Sequence, residues 1–410
     1  MQKNTQKKKV SLSTQMIIAL LAGIITGAVC NHFQISTAGI KPFGDAFISL
    51  VKMLVVPLLM ASIISGTCSI NDMRKLGRVA VKAVVLYFGT MCLAMIFGIA
   101  VSNIIQPGKG VVLADAATAV YEGKEFAGIG QTLLNMIPSN VVNSMANGDL
   151  LPLIVFSVFF GFCITRCGEK AQPIADGINN FAEIMFKMTH YVMLYAPIGT
   201  FALITSTISS YGLSVILPLG KMVLTVYGCI IIFVLVVYAP MLFVICKISP
   251  ARFLKEMREP LLIAFSTTSS MAALPSNMRA SQRLGLTKDV SSFLVPLGNT
   301  INMAGAAMYM AIVSNFVAQA YGMSLTLGQQ VNIVFTALLI AVGAVGIPGY
   351  MIVMITSVFP TVGIPLDGVS LVAGIDKILD MARTPCNIIG DVAIALVIDK
   401  TEKDKKGAQT

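Results

Sequence analysis

Four residues near the C-terminus could together bind a charged solute and a cation. Asp380, Arg383, Asn387 and Asp391 follow one another at spacings of three, four and four, which places them within an arc of about 80° on one helix face. A guanidinium suits a carboxylate and a lone Asp suits an ammonium group. Carboxylate, amide and freed backbone oxygens suit sodium. These residue types therefore indicate a polar site in which a carboxylate and a guanidinium face a ligand or an ion.

The four residues lie in a segment that must otherwise be in lipid. The chain of 410 residues is 56% hydrophobic and only 12% charged, which excludes an ordinary soluble globular protein. A charge at the centre of a spanning helix costs about 2.5–3.5 kcal/mol on insertion scales, so the stripe is expected to face the protein interior and to be functional. The structural alternative is a salt bridge between Asp380 and Arg383 that only satisfies two buried charges.

The distribution of basic residues predicts the topology. The net charge of +10 is concentrated in short loops and tails, where it reports membrane orientation rather than nucleic-acid binding. We predict an all-α membrane protein with eight transmembrane helices and both termini in the cytoplasm. Two apolar stretches do not fit simple crossing, because 259–278 has basic residues on both sides and 328–362 is broken by Gly and Pro. Both are expected to be re-entrant helical hairpins, which makes the two C-terminal units inverted repeats.

These segments resemble the dicarboxylate/amino acid:cation symporter family, the bacterial and archaeal relatives of glutamate transporters, over nearly the whole chain. Four motifs in the family's order carry the resemblance: the serine-rich stretch before Leu274-Pro275, PLGNTINMAG at 296–305, GIPG at 346–349, and DMART at 380–384 continuing to Asp391. The resemblance implies an elevator-type secondary transporter in the plasma membrane that forms a homotrimer. It also implies an amino-acid substrate, sodium as the coupling ion, and neither an enzymatic activity nor a cofactor.

The resemblance implies roles for single residues by matching position. Asp380 would hold the substrate amino group and Arg383 a side-chain carboxylate. The other substrate positions would be Ser269, Ser270, Ala306, Gly346, Pro348, Gly349, Thr384 and Asn387. One sodium site would consist of Gly298, Asn302, Asn387 and Asp391, and a second would use Thr300, Ala341, Val342 and Ala344.

The resemblance also divides the chain into a scaffold and a transport domain. The scaffold would comprise 1–79, with the first two helices, and 106–212, with an extracellular loop and the fourth and fifth helices. The transport domain would comprise 80–105 (helix three), 213–249 (helix six), 250–287 (hairpin one), 288–325 (helix seven), 326–366 (hairpin two) and 367–399 (helix eight), and 400–410 would be a cytoplasmic tail.

Departures from the family pattern leave alternatives open. Members with a third sodium have Asp at the position of Ala304 and Ser at that of Met91, so fewer than three sodium ions are expected. Many members for acidic amino acids have an Arg where this chain has Thr268 or Met381. Proton coupling through Asp391, a dicarboxylate substrate, and a neutral amino acid or cystine are the alternatives.

Asp376 would support the empty site or a hairpin, or be structural. A serine hydrolase using Ser269 or Ser270 is disfavoured because the hairpins contain no base for the nucleophile. A passive anion leak would be a secondary property.

Overall fold

The computed structural model describes residues 12–69, 78–110, 134, 137–148, 150–341 and 350–407. Throughout these residues the regular structure is helical. The helices, in chain order, are α1 (Leu12–His32), α2 (Lys41–Ser69), α3 (Arg78–Ile105), α4 (Val141–Asn147), α5 (Leu150–Cys167), α6 (Gln172–Tyr211), α7 (Ile216–Phe233), α8 (Pro250–Thr267), α9 (Ser270–Arg283), α10 (Lys288–Ile301), α11 (Ala304–Ala320), α12 (Leu327–Ala341), α13 (Tyr350–Val358), α14 (Gly368–Ala373) and α15 (Asp376–Gly407).

Helices α1, α2, α5 and α6 form one packed group. Both α1 and α2 lie along α6, and α5 packs against α2. Glycines allow this close approach, because a Cβ at Gly199 would lie 2.4 Å from the Cβ of Phe47 and one at Gly27 would lie 2.8 Å from the Cβ of Ile208. Ile25 on α1 is exposed. An apolar outer surface of this kind suits a lipid environment.

The remaining long helices surround α11 and α15. Helix α15 contacts α3, α7, α8, α10 and α11. An 18-residue apolar segment within Val290–Ala320 is fully buried and one within Asp376–Glu402 is 89% buried, whereas one within Ile216–Ile245 is only 28% buried. The charged residues Asp380, Arg383 and Asp391 of α15 are buried and therefore lie inside the protein, away from its lipid-facing surface, as the insertion cost of a charge requires.

Interruptions of the helices expose backbone polar groups at three points. The turn Thr268-Ser269 separates α8 from α9, and Thr268 has a left-handed backbone with φ +54°. Asn302 and Met303 separate α10 from α11, with Asn302 extended at φ −82° and ψ 92°. Helix α7 continues as π-helical segments, Val234–Tyr238 and Met241–Ile245, on either side of Pro240, whose ring nitrogen cannot donate a backbone hydrogen bond.

The first predicted hairpin is a helix–turn–helix in the structure. Arg279 donates to Glu259 at 2.9 Å and Arg283 to Glu256 at 2.7 Å. Because the partner numbers run in opposite directions, α8 and α9 are antiparallel. Helix α9 also reaches α15, where Asn277 Nδ2 lies 3.5 Å from the backbone oxygen of Ile388. The turn between α8 and α9 is thus placed next to the charged stripe.

Six helical stretches are long and apolar enough to cross a membrane: Thr14–His32, Val81–Ile105, Val155–Ser210, Ile216–Ile245, Val290–Ala320 and Asp376–Glu402. One of them runs through both α5 and α6, and the shorter stretch Val56–Cys68 belongs to α2. These stretches make the chain a membrane protein. The eight crossings, the cytoplasmic termini and the re-entrant course of the hairpins stay predictions.

Candidate functional site

A buried ion-pair cluster lies at the N-terminal end of α15. Arg383 Nη1 donates to Asp376 Oδ1 at 2.8 Å and Nη2 donates to Asp376 Oδ2 at 3.2 Å. Its Nε lies 3.0 Å from Asp380 Oδ1. The Arg383 side chain is 2% exposed and those of Asp376 and Asp380 are 5% and 8% exposed. One buried guanidinium therefore pairs with two buried carboxylates. Its contact with Asp376 is bidentate, which is the geometry in which Arg binds a carboxylate most strongly.

Two further contacts fix the orientation of the ion pair. The Thr384 hydroxyl donates to Asp380 Oδ1 at 3.0 Å. The guanidinium carbon of Arg383 lies 4.6 Å from the centre of the Tyr309 ring, which is on α11, and this is a cation–π distance. Arg383 is thus held from one side by carboxylates and from the other by an aromatic face. A ligand carboxylate that displaced Asp376 would find the guanidinium already positioned.

The turn between α8 and α9 contacts the same end of α15. Lys377 is 5% exposed, and its ammonium donates to the Thr268 hydroxyl. Ser270 follows the turn, is 1% exposed, and its hydroxyl has no hydrogen-bond partner among the described residues. Ser269 instead caps α9, because its hydroxyl accepts from the backbone N–H of Ala272 at 3.2 Å. Of the two predicted serines, Ser270 is therefore the one with a free polar atom.

A second polar cluster lies two turns further along α15, at the break between α10 and α11. Asn302 Nδ2 donates to the backbone oxygen of Asn387 and to Asp391 Oδ1, both at 3.0 Å. The backbone N–H of Asn302 donates to the Gly298 oxygen at 2.7 Å. Asp391 Oδ2 and Asn302 Oδ1 are buried and have no partner among the described residues. The predicted first sodium set is therefore brought together, with two oxygens available to a cation.

Sulfur and methyl groups border this cluster on the side of α3. Met91 Sδ accepts from the backbone N–H of Met303 at 3.4 Å, and Met303 Sδ lies 3.3 Å from Asn387 Nδ2. Ala304, 0% exposed, begins α11 next to them. Thioethers are soft ligands and methyl groups are none, so these side chains do not form a site for a hard cation. The described residues also contain no group of three His, Cys, Asp or Glu that could hold a metal ion.

The other predicted site residues add no free polar side chain to the described part of the site. Ala306 is buried in α11 and offers a methyl group. The Thr300 hydroxyl donates back to the Pro296 oxygen at 3.0 Å, and Ala341 ends α12. Val342, Ala344, Gly346, Pro348 and Gly349 lie outside the described residues. The second sodium site and the contribution of hairpin two thus stay predictions.

Three residues take a larger part in the site than their sequence context predicts. The sequence leaves the role of Asp376 open between structural support and the site, and in the structure Asp376 makes the bidentate contact to Arg383. Lys377 and Tyr309 were not assigned to the site at all. Asp376 precedes Asp380 by four residues and Arg383 by seven, so its helix face was available from the sequence. The partner of each side chain was not, because spacing gives a face and not a contact.

Comparison with known proteins identifies the family. Residues 12–401 match the model of the sodium:dicarboxylate symporter family. The chain belongs to this family. It is therefore a secondary transporter and not an enzyme, and the resemblance drawn from the sequence motifs is confirmed.

Relatives within the sodium:dicarboxylate symporter family have different substrates and coupling ions in their names. The chain is 34% identical over 412 residues to the proton/sodium-glutamate symport protein of Geobacillus stearothermophilus, covering 98% of both chains. It is 36% identical to the proton/glutamate-aspartate symporter of Escherichia coli, covering 98% of this chain and 95% of the other. It is 32% identical to the C4-dicarboxylate transport protein of Pseudomonas chlororaphis, with 96% and 89% covered.

Close packing between α11 and α15 gives a test of the site's architecture in this family member. A Cβ at Gly305 would lie 2.5 Å from the Arg383 backbone oxygen and 2.9 Å from the Cys386 Cβ. We expect Gly305→Ala to destabilise the protein by about 1–3 kcal/mol through overpacking, seen as a lower melting temperature in detergent. Gly89→Ala is the control, since nothing lies within 4 Å of its Cβ. Equal melting temperatures for the two variants would contradict the close approach of α11 and α15.

Proposed function

We propose that the protein imports an acidic amino acid, glutamate or aspartate, together with sodium. The observation that supports this most strongly is the position of Arg383, buried between Asp376 and Asp380 and beside the Asn302–Asp391 cluster. The side-chain carboxylate of the substrate would replace Asp376 as the partner of the Arg383 guanidinium. The ammonium group of the substrate would bind the Asp380 carboxylate. The side-chain carboxylate and the ammonium of the substrate would then each have a partner of opposite charge, whereas a neutral amino acid would leave the guanidinium without a substrate carboxylate.

The Asn302–Asp391 cluster suits the coupling ion. The Asn302 amide N–H now lies between the Asn387 backbone oxygen and Asp391 Oδ1, where it acts as the positive group. Turning this amide would bring Oδ1, which has no partner among the described residues, toward the same place. A sodium ion there would be bound by carboxylate, amide and backbone oxygens, the ligands expected at an unwound helix.

The number of sodium ions is proposed to be below three. The side chains that border the cluster toward α3 are Met91 and Ala304 rather than oxygen ligands. Tyr87 donates its hydroxyl to the Leu294 backbone oxygen at 3.0 Å, and the Thr90 hydroxyl donates to carbonyls of its own helix. The hydroxyls of Tyr87 and Thr90 are thus already engaged within the protein, and Met91 and Ala304 offer no hard oxygen ligand for a further deep site.

The movement is proposed to be of the elevator type, in a homotrimer in the plasma membrane. The packing of α1, α2, α5 and α6 apart from the group around α15 supports the division into a scaffold and a transport domain. In this proposal α8–α9 and α12–α13 are re-entrant hairpins and the latter is the extracellular gate. The substrate roles of Ser270, Thr384 and Asn387 are part of the same proposal.

Uptake of labelled glutamate and aspartate into proteoliposomes tests the proposal. An inward sodium gradient should drive accumulation above equilibrium, while an equal potassium gradient should not. Serine at the same concentration should neither be accumulated nor compete. Accumulation that needs no sodium, with either substrate, would overturn sodium coupling.

A second candidate is proton coupling, which two observations favour. Asp391 is fully buried and its Oδ2 has no partner among the described residues, so a proton could neutralise it. The Geobacillus relative is named for proton and sodium, and the Escherichia coli relative is named for proton alone. In sodium-free vesicles, uptake driven by external acid would support this candidate. Including succinate in the same experiment tests the dicarboxylate substrate that a third relative's name indicates.

A further inference from the structure

Lys377 is a buried cation without an ion-pair partner among the described residues. Its side chain is 5% exposed, and its hydrogen bond in the structure goes to a neutral hydroxyl, that of Thr268. Within the described part of the chain no carboxylate forms an ion pair with it, because Asp376 and Asp380 both bind Arg383. A buried ammonium is costly unless it is paired with an anion. A ligand anion would provide that pairing.

The position of Lys377 relates it to Arg383 in a simple way. Lys377 precedes Asp380 by three residues and Arg383 follows it by three. On a helix each cation is therefore about one turn from Asp380 and turned about 60° away from it, on opposite sides. The helix presents a cation, an anion and a second cation in order. A solute whose ammonium lies between two carboxylates has the complementary order.

We infer that Lys377 is a specificity-determining residue that binds the α-carboxylate of an acidic amino acid, while Arg383 binds the side-chain carboxylate. This inference rests on the proposed function and extends it to a second cationic contact. The turn between α8 and α9 favours the assignment, because the free Ser270 hydroxyl can donate to the same carboxylate. Asp376, Lys377, Asp380 and Arg383 carry two negative and two positive charges, so the empty site is balanced.

The contact of Lys377 with Thr268 offers a competing explanation. An ammonium bound to the hairpin turn could serve only to hold α8–α9 against α15. The two roles predict different effects on the affinity for different solutes. A latch affects all solutes alike, whereas a specificity residue discriminates between an α-carboxylate and its amide.

Calorimetric binding to the purified full-length transporter separates the two roles; calorimetry is suitable because the chain contains no Trp for intrinsic fluorescence. The ligands are aspartate, its α-amide and asparagine, which lacks the side-chain charge. We expect the wild-type protein to bind the α-amide about 10- to 100-fold more weakly than aspartate, the usual range for a hydrogen bond to a charged group. Lys377→Met should bind aspartate and the α-amide within about threefold of each other, by removing that charged contact. Its discrimination against asparagine should stay at the wild-type value.

Thr268→Val and Lys377→Arg complete the set. Thr268→Val removes the hydroxyl and leaves the ammonium free for the ligand, so discrimination against the α-amide should be kept; Lys377→Arg should keep it too. If Lys377→Met does not fold, Thr268→Val decides: affinities for aspartate, its α-amide and asparagine that all fall by the same factor would favour the latch and overturn the inference, whereas an unchanged affinity for aspartate supports it. Unchanged α-amide discrimination in Lys377→Met would also overturn it. A wild-type protein that binds no acidic solute, with sodium or in acid, would instead contradict the proposed function itself.

Discussion

Asp391→Asn is expected to abolish ion-driven uptake. The carboxylate is fully buried, with Oδ1 accepting from Asn302 Nδ2 at 3.0 Å and Oδ2 unpartnered among the described residues. An amide has the same shape but cannot neutralise a sodium ion or carry a proton. Loss of a charged ligand in a buried site costs about 3–5 kcal/mol, so the initial rate should fall by at least about 100-fold. The measurement is uptake into proteoliposomes under a sodium gradient and, separately, under a proton gradient.

The same variant should fold at least as well as the wild-type protein. A carboxylate oxygen without a partner is a cost in the empty state, and the amide removes the charge that causes it. Sodium should therefore raise the melting temperature of the wild-type protein and leave that of Asp391→Asn unchanged. Asp367→Asn is the matched control, since Asp367 is exposed and lies outside helix α15. Sodium stabilisation of Asp391→Asn equal to the wild type would show that the ion binds elsewhere.

Polar residues in an apolar context made much of this arrangement predictable. Asp380, Arg383, Asn387 and Asp391 were identifiable because lipid excludes charge, so that each had to face the interior. The break at Asn302 and the turn after Thr267 are also found where the sequence becomes too polar for a continuous apolar helix. In each case the burial cost of polar groups fixed the location without knowledge of the partners.

Pairing could not be predicted in the same way. The expected contact of Arg383 was Asp380 or a ligand, but its bidentate partner is Asp376. Which carboxylate pairs with Arg383 depends on how the charged side chains at the start of α15 pack together. Helix periodicity does not describe that packing. The Asn302 amide was expected to offer an oxygen to sodium, yet it directs its N–H groups to the carboxylate and carbonyl. An empty site satisfies its own charges, and its internal partners are set by packing between distant segments.

Arg383→Cys is expected to shift uptake from acidic to neutral amino acids. The guanidinium is the group proposed to bind the substrate side-chain carboxylate, and truncating one partner of a buried charge pair costs about 2–5 kcal/mol. Uptake of glutamate and aspartate should fall by at least about 30-fold, and serine should become a substrate because no unpaired guanidinium remains to oppose it. Competition by unlabelled serine against labelled aspartate, measured in both proteins, gives the selectivity directly.

The variant Arg383→Cys also leaves Asp376 buried without its bidentate partner, with Lys377 as the cation remaining on that turn. Its melting temperature should therefore fall, and adding Asp376→Asn should restore it, because the double variant removes one charge of each sign.

Asp376→Asn alone should bind aspartate about tenfold more tightly. It removes the internal carboxylate that competes for Arg383 and that contributes about 1.5–3 kcal/mol as a charged hydrogen-bond partner. If the double variant were less stable than Arg383→Cys, Asp376 would not be the charge partner on which this competition depends. If Arg383→Cys still preferred aspartate to serine, the carboxylate of the substrate would have to bind another cation, and Lys377 is the one within the described site that could provide it.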